Sequence, residues 1–232
     1  MHHPRVTLLC GHYGSGKTNI AVNLALQTRK IYPRTAVADL DIVNPYFRTK
    51  DSGALFAESG IRLIASDYAN TNLDIPAMPQ DLYAITDDRS LHVIVDVGGD
   101  DRGALALGRI ARELVDEGDY RMLMVINRYR PLTPDAPSTL EVLREIETAC
   151  SIPFTGLVNN SNLGAETTPE TVLASMEYAK AVEALTGLPL IMTSVREDLC
   201  PVLAGKIPNL FPMALQKQPT SFEFEEYKGE NQ

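Results

Sequence analysis

Val6-Thr7-Leu8-Leu9-Cys10-Gly11-His12-Tyr13-Gly14-Ser15-Gly16-Lys17-Thr18 is the stretch that decides the fold of this chain. A short apolar run of strand character passes without a break into G-x-x-x-x-G-K-[ST], complete from Gly11 to Thr18. The residues that follow, Ile20, Leu24 and Gln27, recur at helical spacing. Strand, glycine loop and helix in that order make a cradle for phosphate. The glycines let the backbone curl until consecutive N–H groups point inward at anionic oxygens. The helix opening near Lys17 aims the positive end of its dipole at the same place. Lys17 is expected to reach the β- and γ-phosphates and to act in catalysis, and the Thr18 hydroxyl to coordinate Mg²⁺. Gly11, His12, Tyr13, Gly14, Ser15, Gly16, Lys17 and Thr18, with the adjoining Asn19, are the candidate nucleotide-binding residues.

Outward from this unit, short apolar runs alternate with longer amphipathic stretches. Strands are expected at 6–10, 36–40, 61–65, 92–97, 122–127, 154–159 and 190–193. Several are nearly continuous in Val, Ile and Leu, as in parallel strands covered on both faces. Helices are expected at 18–30, 104–117, 138–149 and 169–185, the last capped by Thr168 with Pro169 at its first position. Repeated strand–loop–helix units imply an α/β fold: a doubly wound, mostly parallel sheet of about seven strands with helices on both faces. The expected division is a nucleotide-binding domain over 1–205 and an extended tail over 206–232, where prolines give way to an acidic Phe-Glu-Phe-Glu-Glu stretch.

In such a sheet the strand C-termini border the ligand crevice. The second strand ends in Ala38-Asp39-Leu40-Asp41, and Asp41, at the loop mouth, is the candidate to orient an attacking water or to hold the Mg²⁺ shell. Val93-Ile94-Val95-Asp96 reads as a strand whose terminal carboxylate contacts Mg²⁺ through water, and Gly99 lets the following loop swing toward a γ-phosphate. Gly156-Leu157-Val158-Asn159-Asn160-Ser161-Asn162 closes another strand; an Asn amide suits a purine edge, and turn chemistry accounts for these residues equally well.

Together these four motifs resemble the MinD/ParA-like ATPases, a group that includes the nitrogenase iron protein and metal-centre maturation ATPases. The resemblance covers residues 5 to about 195. It implies ATP and Mg²⁺ as cofactors, Asp41 as the water-positioning residue, Asp96 and Gly99 as the switch, and Asn160 as the reader of adenine. It also implies an ATP-dependent homodimer acting on a protein client. Two departures stand out. His12 occupies the place of the family's signature lysine, which reaches across the dimer; the clamp is then expected to be weaker, pH-dependent or replaced by an arginine such as Arg102 or Arg128. The switch region also lacks the cysteine that would bind an iron–sulfur cluster, which argues against electron transfer.

Composition narrows the partners. With 21 basic and 30 acidic residues the net charge is −9, which disfavours nucleic acid. No apolar run approaches the roughly 18 residues of a membrane span, and the acidic, proline-broken tail is no basic amphipathic anchor. The apolar start leads straight into the glycine loop, so a cytoplasmic location and no signal peptide are expected. Cys10, Cys150 and Cys200 read as reduced, mostly buried thiols. Two readings compete with the ATPase switch. One is a small-molecule kinase or ATP-dependent ligase related to dethiobiotin synthetase, with residues 44–48 and 67–78 lining an acceptor site. The other is a scaffold that binds ATP without turnover.

Overall fold

A strand such as Val6–Cys10, apolar on both faces, is stable only between two covering layers. The structure, a computed structural model, describes residues 4–40, 49–65, 80–99 and 101–215. Within them the chain runs β1 (Val6–Cys10), α1 (Lys17–Ile31), β2 (Thr35–Leu40), α2 (Gly53–Glu58), β3 (Arg62–Ala65) and α3 (Ala84–Asp87). It continues through β4 (His92–Val97), α4 (Asp101–Gly108), α5 (Ala111–Glu117), β5 (Tyr120–Ile126) and α6 (Ala136–Cys150). The last elements are β6 (Gly156–Asn159), α7 (Pro169–Thr186), β7 (Leu190–Arg196), α8 (Cys200–Leu203) and β8 (Leu210–Met213). The strands form one sheet in the order β3-β2-β4-β1-β5-β6-β7-β8, and every pairing is parallel. Among the described residues no helix is long and apolar enough to cross a membrane.

Alternation along the strands sorts the core into two layers. Val6, Leu8 and Cys10 of β1, with Val93, Val95 and Val97 of β4, pack with Leu107, Leu143, Tyr178 and Val182 from the helices α4, α6 and α7. Leu9 and Ile94 turn the other way, against Ile20 and Leu24 of α1. Asp96 shares the parity of Ile94 and is therefore delivered to the α1 side, where the phosphate loop ends. The order reverses at β1, which pairs with β4 on one side and β5 on the other. The crevice at the carboxyl end of this switch point is where ligands of such sheets bind.

All seven expected strands are present, with ends shifted by a few residues, and β8 is added. Leu-Phe-Pro-Met does not read as a strand because Pro212 lacks a ladder donor. It is tolerated because β8 is the edge of the sheet, paired only with β7. The single helix expected at 104–117 is two helices. Gly108 is a poor helix former, and Ile110 turns inward to a fully buried position between them. At α7 the cap is as expected: Thr168 accepts from Thr171 N, and Pro169 opens the helix. Of the cysteines, Cys10 and Cys150 are buried and Cys200 half-buried, all free thiols, and burial pushes the Cys10 thiol well above its usual range.

Candidate functional site

The loop between β1 and α1 is held open by its own backbone. Gly16, immediately before α1, has φ 90°, and a Cβ there would collide with the Asn160 amide. α1 begins with no side-chain cap and no acidic residue of its own in the first turn, which leaves its leading N–H groups and dipole facing the loop. The Lys17 ammonium donates to the carbonyls of Gly11 (2.9 Å) and His12 (3.3 Å). Ser15 donates its N–H to His12 O, while its buried hydroxyl has no hydrogen-bond partner among the described residues. A buried orphan hydroxyl beside helix N–H donors and a buried lysine fits an anion with several oxygens. His12 is half-buried with Nδ1 3.0 Å from Tyr13 O, and Tyr13 is exposed.

A second cluster meets the loop from β2 and β4. Thr18 Oγ1 donates to Asp96 Oδ2 at 2.8 Å, joining the end of the phosphate loop to the end of β4. Asp96 is 1% exposed and stands in register with Leu9 on one side and Asp39 on the other; Asp39 is 7% exposed. Two buried carboxylates on neighbouring strands, flanked by a hydroxyl, form a hard oxygen-rich site that a divalent cation would neutralise. The donor set therefore fits Mg²⁺. Gly99 packs on the loop itself: a Cβ there would lie 2.5 Å from Tyr13 N. The expected switch glycine is thus in contact with the phosphate loop.

Thr49 is a member that reading the sequence missed. It is fully buried and donates to the same Asp96 oxygen at 2.6 Å. No local motif marks it; only the fold carries the segment after β2 to the end of β4. Thr49→Val is expected to cost about 1–2 kcal/mol in urea unfolding, from one charge-assisted hydrogen bond lost without loss of shape. A variant as stable as the parent would show that this contact contributes nothing.

Beside the loop lies a cleft of about 470 Å³, within the range of small-molecule sites. Its lining includes Gly14, Gly16 and Asn19 of the loop and α1, Asn160, Asn162, Val172 and Arg196, and Met213 and Leu215. Asn160 was expected to meet a base. As placed, its Nδ2 donates to Ser15 O (2.6 Å) and its Oδ1 accepts from Ser194 Oγ (2.7 Å), so both ends of the amide are engaged in positioning the loop. Arg130, also missed, lines the same cleft. The Asn127 carbonyl accepts from Arg130 N and Thr133 Oγ1, fixing a tight turn that lays the guanidinium along Gly14. Arg128 is committed elsewhere, donating to Ala174 O and lying over the Tyr129 ring. Asp41, the segments 44–48 and 67–78 and the Arg102 side chain lie outside the described residues.

No protein-family model matches the chain, and no curated protein does. Solved structures do. The cell division protein FtsY of Thermotoga maritima superposes with a TM-score of 0.52 at 17% identity, over 83% of this chain and 62% of its own. The signal recognition particle 54 kDa protein of Aeropyrum pernix, in complex with GDP, gives 0.52 and 17% over 83% of this chain and 41% of its own. Chloroplast FtsY of Physcomitrella patens gives 0.52 at 16% identity, over 83% and 59%. This chain thus spans about two fifths to three fifths of the length of these neighbours. At such identities the likeness shows the shared fold alone.

Proposed function

We propose that this protein is a Mg²⁺-dependent ATPase switch of the MinD/ParA-like kind, closing as a homodimer on ATP and releasing a protein or metal-centre maturation client on hydrolysis. The observation that carries the reading is the junction of Lys17, Thr18 and Asp96. The phosphate loop and the β4 carboxylate are joined there by a direct hydrogen bond, with Gly99 packed on the loop. In the proposed reaction the loop N–H groups and Lys17 bind the phosphates and stabilise the charge that develops in transfer. Thr18 and Asp96 would hold Mg²⁺, with Asp39 adding negative charge beside it. A bound Mg²⁺ would supply charge neutralisation to the phosphates. Asp41 orients the attacking water.

Adenine is preferred on chemical grounds. Guanine presents two adjacent N–H donors that a carboxylate accepts best, and among the described residues no Asp or Glu lines the cleft. The GDP of the Aeropyrum pernix complex belongs to that protein.

The test is phosphate release from ATP and Mg²⁺ by the purified chain with no acceptor added, alongside light scattering with a non-hydrolysable ATP analogue. Turnover and analogue-induced association are expected. Strict dependence of turnover on a metabolite would replace the switch with a kinase or ligase. Asp41→Ala is expected to lower turnover about a hundredfold or more while ATP affinity stays within a few fold. Normal turnover in that variant removes Asp41 from the mechanism.

A further inference from the structure

Part of the cleft's lining comes from a stretch of the chain outside the nucleotide motifs. β8 ends at Met213, which pairs with Arg196 of β7, and Met213 and Leu215 both line the cleft. Between them Ala214 is held by a side chain of the phosphate-loop helix. Asn23 Nδ2 donates to Ala214 O at 2.9 Å, and Ala214 N donates to Asn23 Oδ1 at 3.0 Å. The amide of Asn23 thus imitates a neighbouring strand, taking both backbone groups of one residue. Its Nδ2 also donates to Asn19 O at 2.8 Å, one turn back on α1. Asn23 is itself buried.

A buried carboxamide that satisfies both groups of one peptide fixes that peptide to within a hydrogen bond's tolerance. The apolar side chains on either side of Ala214 are then set at a defined distance from α1, the helix whose N-terminus forms the phosphate site. Leu215 is 46% exposed, an apolar side chain at the cleft. A flat, weakly polar ring of a nucleoside is the ligand chemistry such a wall suits, since burial against it removes apolar surface from water.

We propose that the C-terminal segment ending at Leu215 is the base-binding wall of the nucleotide site, and that Asn23 is the residue that positions it. Both ends of the nucleotide are then referenced to one rigid element: phosphates to the start of α1, base to a segment clamped two turns along it. The inference rests on the nucleotide reading above and extends it to residues beyond the phosphate loop.

The experiment compares Mg²⁺–ATP with inorganic triphosphate, which has the anion but no base, by calorimetry on the full chain. The parent is expected to bind both, ATP more tightly. Asn23→Ala is expected to weaken ATP about tenfold, with triphosphate affinity changed less than about twofold. Leu215→Ser, at a position 46% exposed, is expected to narrow the same ratio several-fold, so the inference stays testable if Asn23→Ala fails to fold. A parent that binds neither ligand overturns the nucleotide reading and the inference with it. A parent that binds ATP, with variants that keep its ATP-to-triphosphate ratio or lose both ligands equally, overturns the inference alone.

Discussion

Lys17→Ala is expected to lower affinity for Mg²⁺–ATP at least about a hundredfold, measured by calorimetry. The magnitude follows from the loss of charge-assisted hydrogen bonds to two phosphates, each worth roughly 1.5–3 kcal/mol. The ammonium donates to Gly11 O and His12 O, so its path to a ligand is an exchange of carbonyl partners for phosphate oxygens with little movement of the stem. Removing it also leaves those carbonyls short of a donor. The variant should therefore lose about 1–3 kcal/mol of stability, which in a chain of this size lowers the melting temperature by several degrees while leaving the fold intact. A folded variant that binds ATP as tightly as the parent would end the phosphate-loop interpretation, whatever the fold.

The same lysine shows what a linear reading can reach. Gly11 to Thr18 is a local unit whose geometry is specified by adjacent residues, so its position was legible from the sequence. Asp96 was legible for a related reason: an apolar run ending in a carboxylate places that group at a strand's C-terminus, and parity sends it to the α1 side. Thr49, Asp39 and Arg130 obey no such local rule. Asp39 matters because β2 pairs with β4 in the register that sets it beside Asp96, and register is a property of two strands. Arg130 reaches Gly14 only because Asn127 closes a turn beneath it. Asn160 stands out in the sequence by its place at a strand end, yet its amide partners, Ser15 and Ser194, lie 145 and 34 residues away. The eighth strand was hidden by Pro212, whose cost vanishes at an edge. The split between α4 and α5 was hidden because a 3.6-residue period carries on through Gly108 even where the backbone does not.

Asp96→Asn should separate stability from function more sharply than any other single change. The carboxamide keeps the shape of the carboxylate and one oxygen that can accept from Thr18 and Thr49. It removes one of two buried carboxylate charges set side by side on adjacent strands, Asp39 and Asp96, and with it the repulsion between them. The melting temperature of the ligand-free variant is therefore expected to equal or exceed that of the parent. The effect on the reaction has the opposite sign, because the charge that would hold Mg²⁺ is halved. The gain in ATP affinity on adding Mg²⁺ should largely disappear, and phosphate release should fall roughly a hundredfold to a thousandfold. Raised stability with lost turnover is the mark of a group kept for chemistry at the expense of the fold. Titration of ATP with Mg²⁺ and with a chelator, beside a thermal melt of the same preparation, reads both signs at once. A variant that melts well below the parent and retains its Mg²⁺ response would show that Asp96 serves the sheet, and that the cation site must be sought among other oxygens.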